Sequence, residues 1–167
     1  MHKFLGLLIL TSFVTSCSHT YYITRHAEKA VPSVGDTMNT PDDPPLSLAG
    51  TKRAESLKEI LKDKNIRNIF STNTTRTRLT ADPLSKYAGV SIQTYGSRPD
   101  SGFIHQLKKI KSNTLIIGHS NTVDEIVNGL SNESSLADLA DSEYDNLFIV
   151  RYKRFIGTTI KYERKKY

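Results

Sequence analysis

The apolar positions of the chain fall into short runs that alternate between strand-like and helix-like spacing. Aromatic and β-branched residues without a breaker predict a strand over residues 21–24, and an unbroken apolar run predicts a buried strand within 113–120. The same criteria predict further strands within residues 66–72, 90–95, 146–152 and 158–163.

Helical spacing occupies the segments between these strands. Ser47 is a predicted N-cap for a helix over about 47–63, in which apolar residues recur every three or four positions. A second helix is predicted to end at Gly89, which is a favourable C-cap residue. The remaining predicted helices are residues 101–112, residues 121–130 with Gly129 as the terminator, and a short helix around 134–140.

Strands that alternate with helices predict an α/β fold, here a three-layer α/β/α sandwich with a mostly parallel central sheet. The last two strands are joined around Gly157 and are expected to form an antiparallel edge. Residues 27–47 contain four of the six prolines, so they are predicted to form a loop rather than a helix or central strand. Long loops in small domains are often binding loops.

The first residues resemble an export signal. Phe4–Val14 is mostly apolar and too short to span a bilayer comfortably, and it closes on "VTSC", which resembles the lipobox of bacterial lipoproteins. Cys17 is the only cysteine and is the expected acylation site. The predicted organisation is a signal peptide over 1–16, a lipidated Cys and short tether over 17–20, and one domain over 21–167, anchored on the periplasmic or cell-surface side of a membrane. An ordinary secretory signal with an incidental Cys is the alternative.

Composition supports one globular domain, because the 167 residues are 37% hydrophobic and 24% charged. The formal net charge is +6, and much of the excess lies near the end of the chain. That cluster comprises Arg151, Lys153, Arg154, Lys161, Arg164, Lys165 and Lys166. It is interpreted as charge on edge strands that blocks pairing with other chains, with contact to anionic lipid as the alternative. No nucleic-acid-binding motif accompanies it, so no nucleic-acid partner is predicted.

Cationic and imidazole side chains follow the carboxyl ends of three predicted strands. Arg25 and His26 end the first strand, Arg76 follows the second, and His119 follows the buried strand. Ligands of open α/β sheets sit at these ends, guanidinium groups clamp phosphate oxygens, and a neutral imidazole can attack phosphorus. Adjacent side chains of a regular strand point to opposite faces, so the backbone must leave β geometry between Arg25 and His26 for both to serve one site. No third ligand has metal-motif spacing, so no metal site is predicted.

Four segments together are similar to a known family. "TRHAEK" (24–29), "LSLAGTKRAESL" (46–57), "STNTTRTRLTADPL" (71–84) and "LIIGHSNTV" (115–123) resemble the motifs of the histidine phosphatase superfamily, the phosphoglycerate-mutase-like group, in its small RHxE branch. The resemblance implies that His26 is a nucleophile that becomes phosphohistidine. It also implies that Arg25, Arg76 and His119 hold the phosphoryl group. Arg78 matches a variable position of the motif and is left out of the site.

The general acid is where the chain departs from this pattern. Ser120 stands where acid phosphatases of the group carry an Asp, and Asp100 is the only carboxylate in "YGSRPDSGF". Asp100 is therefore the candidate acid, with an N-cap of the following helix as the alternative. Glu28, Ser120 and Asn121 are expected to support the residues that contact phosphate.

These motifs predict a metal-independent phosphatase without a cofactor, acting on a phosphorylated small molecule or a phosphoprotein, including protein phosphohistidine. A mutase is disfavoured because no insertion for a second phosphate is evident. The alternative function is a catalytically inactive module of the same fold that binds phosphate or a phosphopeptide.

Overall fold

The central sheet has six strands in the spatial order β3-β2-β4-β1-β5-β6. The computed structural model describes residues 17–31, 42–132, 135–155 and 157–167. In chain order the elements are β1 (Cys17–Arg25), α1 (Leu48–Leu61), β2 (Asn68–Thr72), α2 (Thr75–Ala88), β3 (Ile92–Tyr95), α3 (Ser101–Lys109), β4 (Thr114–Gly118), α4 (Val123–Ser131), β5 (Asn146–Phe155) and β6 (Gly157–Lys166).

Strands β1 to β4 run parallel, whereas β5 pairs antiparallel with both β1 and β6. The predicted α/β fold with a mostly parallel sheet and an antiparallel edge is confirmed. In the register of β1 with β4, Arg25 lies opposite Gly118, so both strands end at the same level. This alignment brings the residues that follow the two strands to one edge of the sheet.

The helices cover both faces of the sheet, as the three-layer arrangement requires. Side chains of β1 alternate between the two cores: Tyr21 and Ile23 belong to one and Tyr22 to the other. Leu57 of α1 and Leu84 of α2 pack on the Tyr22 side. The opposite core is filled from α3 and α4 by Phe103, Leu107, Val123, Ile126, Val127 and Leu130.

The helix ends follow the sequence signals in two cases and depart from them in a third. The Ser47 hydroxyl accepts a hydrogen bond from the Gly50 amide at 3.0 Å and caps α1, and Gly89 ends α2 with φ of 65°. The prediction that Gly129 ends the fourth helix is wrong. This helix continues to Ser131, and Asn132 ends it in the left-handed conformation with φ of 59°.

The short helix predicted around 134–140 is also wrong, because residues 135–140 are irregular. Their backbone groups are used elsewhere. The Asn128 side chain of α4 exchanges hydrogen bonds with the backbone of Leu136, and the Leu139 amide donates to the Ser120 carbonyl. These tertiary bonds take the place of the bonds within a helix and hold the segment over the start of α4.

The start of the described chain is already part of the sheet. Residues 17–20, expected to form a tether, are the first four residues of β1, and they pair with Arg154 to Arg151 of β5. The predicted signal peptide over 1–16 lies outside the described residues, as does part of the proline-rich loop. Within the described ranges, no helix has the length and apolar character needed to span a membrane.

Candidate active site

Three strand ends surround a cavity of about 440 Å³ at the carboxyl edge of the sheet. The cavity is lined by Arg25, His26, Lys29, Thr74, Arg76, Ser97, His119, Ser120, Asn121 and Asp141. Strand β1 ends at Arg25, and the His26 amide donates to the Gly118 carbonyl at 2.9 Å. His26 is thus the first residue after the strand, and both side chains line the same cavity.

The imidazole of His26 is held in a defined orientation and is buried. Its Nδ1 lies 2.7 Å from the Ala27 carbonyl oxygen, which can only accept, so Nδ1 carries the proton. Nε2 accepts a hydrogen bond from Nε of Arg76 at 3.3 Å. The pKa of His26 is lowered to about 3, mainly by burial. The hydrogen bond to Ala27 raises this pKa, whereas His119, Arg25 and Arg76 lower it further. At neutral pH the ring is neutral, with its reactive lone pair on Nε2 toward the cavity.

Arg76 lies in the first turn of α2 and is positioned by a residue from the proline-rich loop. Its Nη1 lies 3.3 Å from Oδ1 of Asp43. The same carboxylate accepts from the amide and the hydroxyl of Thr75, at 2.9 and 2.8 Å. Thr74, the N-cap residue of this helix, makes no capping bond with its own side chain, so Asp43 takes that role. Burial opposes ionisation of Asp43, but these hydrogen bonds and the Arg76 charge hold its pKa below the ordinary value.

His119 faces His26 across the cavity, with 5.3 Å between the ring centroids. Its Nε2 is hydrogen-bonded to the Thr72 hydroxyl at 2.9 Å, and its amide donates to the Thr122 hydroxyl at 2.9 Å. Burial, followed by the charges of Arg76 and Arg25, lowers the pKa of His119 to about 4. The ring is therefore neutral at neutral pH, and a bound phosphate dianion would favour its protonation by supplying the opposite charge.

Gly118 is required by close packing beside His119. A Cβ atom at this position would lie 2.8 Å from the Thr122 hydroxyl oxygen and 3.0 Å from that of Tyr95. In the structure the groups that approach Gly118 are these two side chains, which fix the turn that carries His119.

Arg25 is buried and oriented by the segment that follows α4. Its Nη1 donates to the carbonyls of Ala140 and Asp141 at 2.9 and 3.1 Å, and its guanidinium lies over the Tyr144 ring, 4.1 Å from the centroid. The Tyr144 ring is also 5.9 Å from the His26 ring. The irregular segment 135–145 thus forms one wall of the cavity and holds one of its guanidinium groups.

Glu28 supports the loop after His26 but does not line the cavity. Its carboxylate accepts from Nε and Nη2 of Arg53 at 2.9 and 2.6 Å, and Arg53 also donates to the Tyr167 carbonyl oxygen at 2.6 Å. Burial opposes ionisation of Glu28, yet the Arg53 bonds hold its pKa below the ordinary value. Gly50 permits this arrangement, because a Cβ there would lie 2.2 Å from the Glu28 carbonyl oxygen.

Asp100, the candidate acid, is not brought to this cavity. It is the N-cap of α3, and its Oδ1 accepts from the Phe103 amide at 2.7 Å. It lines a separate cavity of about 320 Å³ beside Tyr95 and Phe103. The helix cap that the sequence left as the alternative is what the structure shows. The two remaining supporting residues, Ser120 and Asn121, do line the His26 cavity.

Residues 21–96 match the sequence model of the histidine phosphatase superfamily, branch 1. The superfamily predicted from the motifs is confirmed. The matched segment contains the strand end with Arg25 and His26 and the helix start with Arg76, while His119 lies beyond it. Among curated proteins, no sequence matches the chain.

Solved structures share the fold over most of this chain. A chain assigned as the phosphohistidine phosphatase SixA of Agrobacterium tumefaciens has a TM-score of 0.58 at 18% identity, over 84% of this chain and 96% of that one. The protein histidine phosphatase SixA in complex with tungstate gives 0.59 at 14% identity, over 88% and 96%. A mycobacterial glucosyl-3-phosphoglycerate phosphatase gives 0.58 at 11% identity, over 90% and 98%. At these identities the comparison shows a common fold.

Sequence reasoning missed several residues that shape the histidine phosphatase site. Asp43 positions Arg76, Tyr144 stacks on Arg25, and Thr72 bonds to His119. A signal for Asp43 was present, since paired carboxylates precede the prolines that lead into α1. Tyr144 carried no local signal, because its contact with Arg25 joins residues 119 positions apart. Among the parts of the chain that are described, no three His, Cys, Asp or Glu side chains form a metal-binding group.

Proposed function

We propose that this chain is a phosphatase that transfers the phosphoryl group of its substrate first to His26 and then to water. The observation that carries the proposal is the state of His26: a buried, neutral ring with its proton fixed on Nδ1 and its Nε2 bonded to the Arg76 guanidinium, in a cavity that Arg25 and His119 also line. An imidazole in this state is a nucleophile beside preorganised donors for an anion.

In the first step, Nε2 of His26 attacks phosphorus, the N–P bond forms, and the bond from phosphorus to the leaving group breaks with its electron pair on the leaving atom. The Nε–H group of Arg76, which donates a hydrogen bond to the imidazole, must then donate to a phosphoryl oxygen instead. Arg25 and His119 line the same cavity, and we propose that they contact the remaining oxygens. The bond from Nδ1 to the Ala27 carbonyl stabilises the positive charge that develops on the ring.

In the second step, a water molecule attacks phosphorus on the side that the leaving group has vacated. The N–P bond breaks, its electron pair returns to Nε2, and the water proton passes to solvent. Inorganic phosphate leaves and His26 is again neutral. The residues that held the phosphoryl oxygens in the first step serve in the second, because the charge on those oxygens is similar in both.

The carboxyl groups near the cavity favour substrates whose leaving group departs without an acid. Asp43 and Glu28 have lowered pKa values because of their hydrogen-bond donors, and Asp100 lies in another cavity. Asp141 lies at the rim with its side chain fully exposed. An alkoxide is a strong base and leaves poorly without an acid. The imidazole of a protein phosphohistidine and an aryl oxide are much weaker bases, so they leave more readily. We therefore propose protein phosphohistidine as the preferred substrate and a small phosphomonoester as the second possibility.

Similar folds support both substrate classes. One protein with this fold is a protein histidine phosphatase in complex with tungstate, an oxyanion, and another is a glucosyl-3-phosphoglycerate phosphatase, which acts on a phosphomonoester. The proposed reaction needs neither a metal nor a cofactor, because guanidinium and imidazole groups supply the positive charge. We further propose that Cys17 is acylated and holds the enzyme on the periplasmic or cell-surface side of a membrane, as the lipobox-like "VTSC" indicates.

The test is phosphate release from three substrates in the presence of EDTA: para-nitrophenyl phosphate, a phosphohistidine peptide and glycerol phosphate. The proposal predicts turnover of the first two, much slower turnover of the third, and loss of all activity in His26→Asn. A matched control is His105→Asn, which changes an exposed histidine of α3. Activity that needs an added metal or survives in His26→Asn would contradict the proposal.

One observation favours the second candidate, a phosphate-binding module without catalysis. Within the described residues, the one carboxyl group that lines the cavity is that of Asp141, whose side chain is fully exposed, and such a site could bind phosphate without releasing it from an ester. This candidate predicts binding of inorganic phosphate with no turnover of the aryl phosphate. Because para-nitrophenolate needs almost no acid to leave, the same assay separates the two functions.

A further inference from the structure

The end of the sheet opposite the active site carries a group of exposed basic side chains. We call this group the basic end; it consists of Lys64, Arg67, Lys111, Lys153 and Arg154. All five residues are exposed. They come from three separate parts of the chain, so the sequence alone shows only the last two as neighbours.

Strand pairing places the last two of these residues beside the start of β1. In the antiparallel register of β1 with β5, Ser18 lies opposite Lys153 and Cys17 lies opposite Arg154. Lys153 and Arg154 therefore lie at the amino end of β1, whereas His26 follows its carboxyl end. The turn between β5 and β6 is at this same end of the sheet.

Asn113 connects the segment with Lys64 and Arg67, and its own segment with Lys111, to the amino end of β1. Its side-chain oxygen accepts from the Thr20 amide of β1 at 2.8 Å, and its side-chain nitrogen donates to the Lys64 carbonyl at 2.6 Å. Its backbone carbonyl accepts from the Arg67 amide at 2.9 Å. Lys111 precedes Asn113 by two residues and lies close enough to lower the pKa of His19, after the larger effect of burial.

The charges of the basic end are not neutralised within the described part of the chain. None of its five side chains makes an ion pair there, and Asp63 contributes a single negative charge in the loop of Lys64 and Arg67. Lys161 of β6 likewise makes no ion pair among the described residues, but the four other basic residues of β5 and β6 differ. Their ion pairs are Arg151 with Glu163, Arg164 with Glu143, Lys165 with Glu163, and Lys166 with Asp145. The cluster seen in the sequence therefore contains four residues that form ion pairs and three, Lys153, Arg154 and Lys161, that form none in the described part of the chain.

Distance separates the basic end from the phosphate site. Strand β1 runs the nine residues from Cys17 to Arg25, which at about 3.3 Å per residue spans roughly 26 Å. The Debye length at physiological ionic strength is about 8 Å. The charges of the basic end therefore contribute little to substrate binding, and they are available for a different partner.

We propose that the basic end docks onto an anionic lipid surface, so that the active site opens away from the membrane. A bilayer with anionic headgroups is a broad, uniformly negative plane, and it matches basic residues brought together from three loops at one end of a domain. Cys17, the expected acylation site, begins β1 within this same end. The inference concerns docking and orientation, and it stands whether or not the chain hydrolyses phosphate esters.

The docking experiment uses the full chain with Cys17→Ser, so that no acyl group contributes. Its partition is measured on phosphatidylcholine vesicles with and without phosphatidylglycerol, and the difference isolates the electrostatic part from any binding by the apolar leader. Each basic residue near an anionic surface changes partition about fivefold. We expect Lys111→Glu combined with Lys153→Glu to lower the phosphatidylglycerol-dependent partition at least about tenfold.

The matched control is Lys52→Glu combined with Arg78→Glu, which makes the same charge change in the first two turns of α1 and α2. These turns lie at the opposite end of the sheet, so partition should change less than about twofold. Equal losses in both double variants would overturn the proposal, because net charge alone would then explain binding. The proposal would also be overturned if partition of the parent chain did not depend on phosphatidylglycerol, or if the chain bound duplex DNA in preference to vesicles. If the first double variant unfolds, the neutral single variants Lys111→Gln and Lys153→Gln give the same comparison.

Orientation is measured with a fluorescent probe on a single introduced cysteine in the Cys17→Ser chain. The probe is placed on Thr158→Cys, beside Arg154 at the basic end, or on Ser142→Cys, beside the active-site cavity. Quenchers on the lipid headgroups should reduce fluorescence of the first probe and leave the second unchanged. Stronger quenching at residue 142 would contradict the proposed orientation.

Discussion

Arg76 donates from Nε to Nε2 of His26 at 3.3 Å, so a guanidinium group rests on the atom proposed to attack phosphorus. The bond keeps Nε2 unprotonated and holds the ring toward the cavity. Once phosphate binds, the same donor is already beside the oxygens where charge develops. The position of Arg76 therefore serves both the nucleophile and its target.

The first prediction concerns the geometry of this donor. Arg76→Lys keeps the charge but loses the flat fork of donors, and Arg76→Ala loses both. We expect kcat for an aryl phosphate to fall by about 10²–10³ in Arg76→Ala, as for removal of one preorganised donor, and by a smaller factor in Arg76→Lys. Steady-state kinetics measures this, and an Arg76→Ala enzyme with the activity of the unsubstituted chain would contradict it.

The second prediction concerns Asp43, which pairs with Arg76 and caps α2 at Thr75. Asp43→Asn keeps an oxygen for the Thr75 amide but loses the charge that orients Arg76. We expect kcat to fall roughly tenfold, less than in Arg76→Ala, because the donor remains but is less well placed. Inorganic phosphate should inhibit at least as strongly as before, since a negative charge near the anion has been removed.

Asp42→Asn is the control for this prediction, because Asp42 is an exposed neighbour that makes the same change in net charge. It should leave kcat and phosphate inhibition unchanged. If Asp42→Asn and Asp43→Asn lower kcat equally, the effect is one of overall charge and the positioning role of Asp43 is wrong.

The third prediction concerns the pH dependence of stability. Burial lowers the pKa of His26 to about 3, so the unfolded chain takes up a proton below about pH 6.5 while the folded chain does not. The free energy of unfolding should therefore decrease as the pH falls from about 6.5 toward 3, and increase as the pH rises. His26 alone contributes a slope approaching about 1.4 kcal/mol per pH unit within that range.

Urea unfolding of the unsubstituted chain and of His26→Asn between pH 4.5 and 6, within about the range set by the two pKa values, measures this contribution. The variant should have a shallower dependence of the free energy of unfolding on pH. The same slope in both proteins would show that His26 titrates normally in the folded state, and it would remove the electrostatic basis for its nucleophilicity.

The fourth prediction separates the two roles considered for Asp100. Asn is as good an N-cap as Asp but cannot donate a proton as a carboxylic acid. Because Asp100 caps α3 and lines another cavity, Asp100→Asn should retain both stability and activity. Asp100→Ala should lose about 1 kcal/mol of stability, with activity per folded molecule unchanged. A large loss of kcat in Asp100→Asn would restore Asp100 as the acid.

Local sequence signals were sufficient for most of the fold. Ser47 and Gly89 mark helix ends through bonds and dihedral angles that depend on neighbouring residues, and both were predicted correctly. The meeting of Arg25, His26 and His119 at one cavity was also predictable, because the carboxyl ends of parallel strands meet at one edge of a sheet. The motif over residues 71–84 further predicted that Arg76, at the start of α2, belongs to the same site.

One of the failed predictions concerned the local choice of a helix end, and the others depended on contacts between separated residues. Gly129 does not end its helix, because Asn132 provides the left-handed turn three residues later. Residues 135–140 do not form a helix, because Asn128 and Ser120 take their backbone groups. The pairing of Asp43 with Arg76 likewise depends on how a long loop folds back on α2. No spacing along the chain encodes such contacts.

The most direct test of the central claim is identification of the phosphorylated residue during turnover. The chain is mixed with para-nitrophenyl phosphate, quenched rapidly in alkali, where phosphohistidine is stable, and digested for mass spectrometry. The account predicts a phosphoryl group on His26, absent from His26→Asn and present on no other histidine. Turnover without phosphorylated His26, under conditions in which a burst of para-nitrophenol shows that an intermediate accumulates, would contradict it.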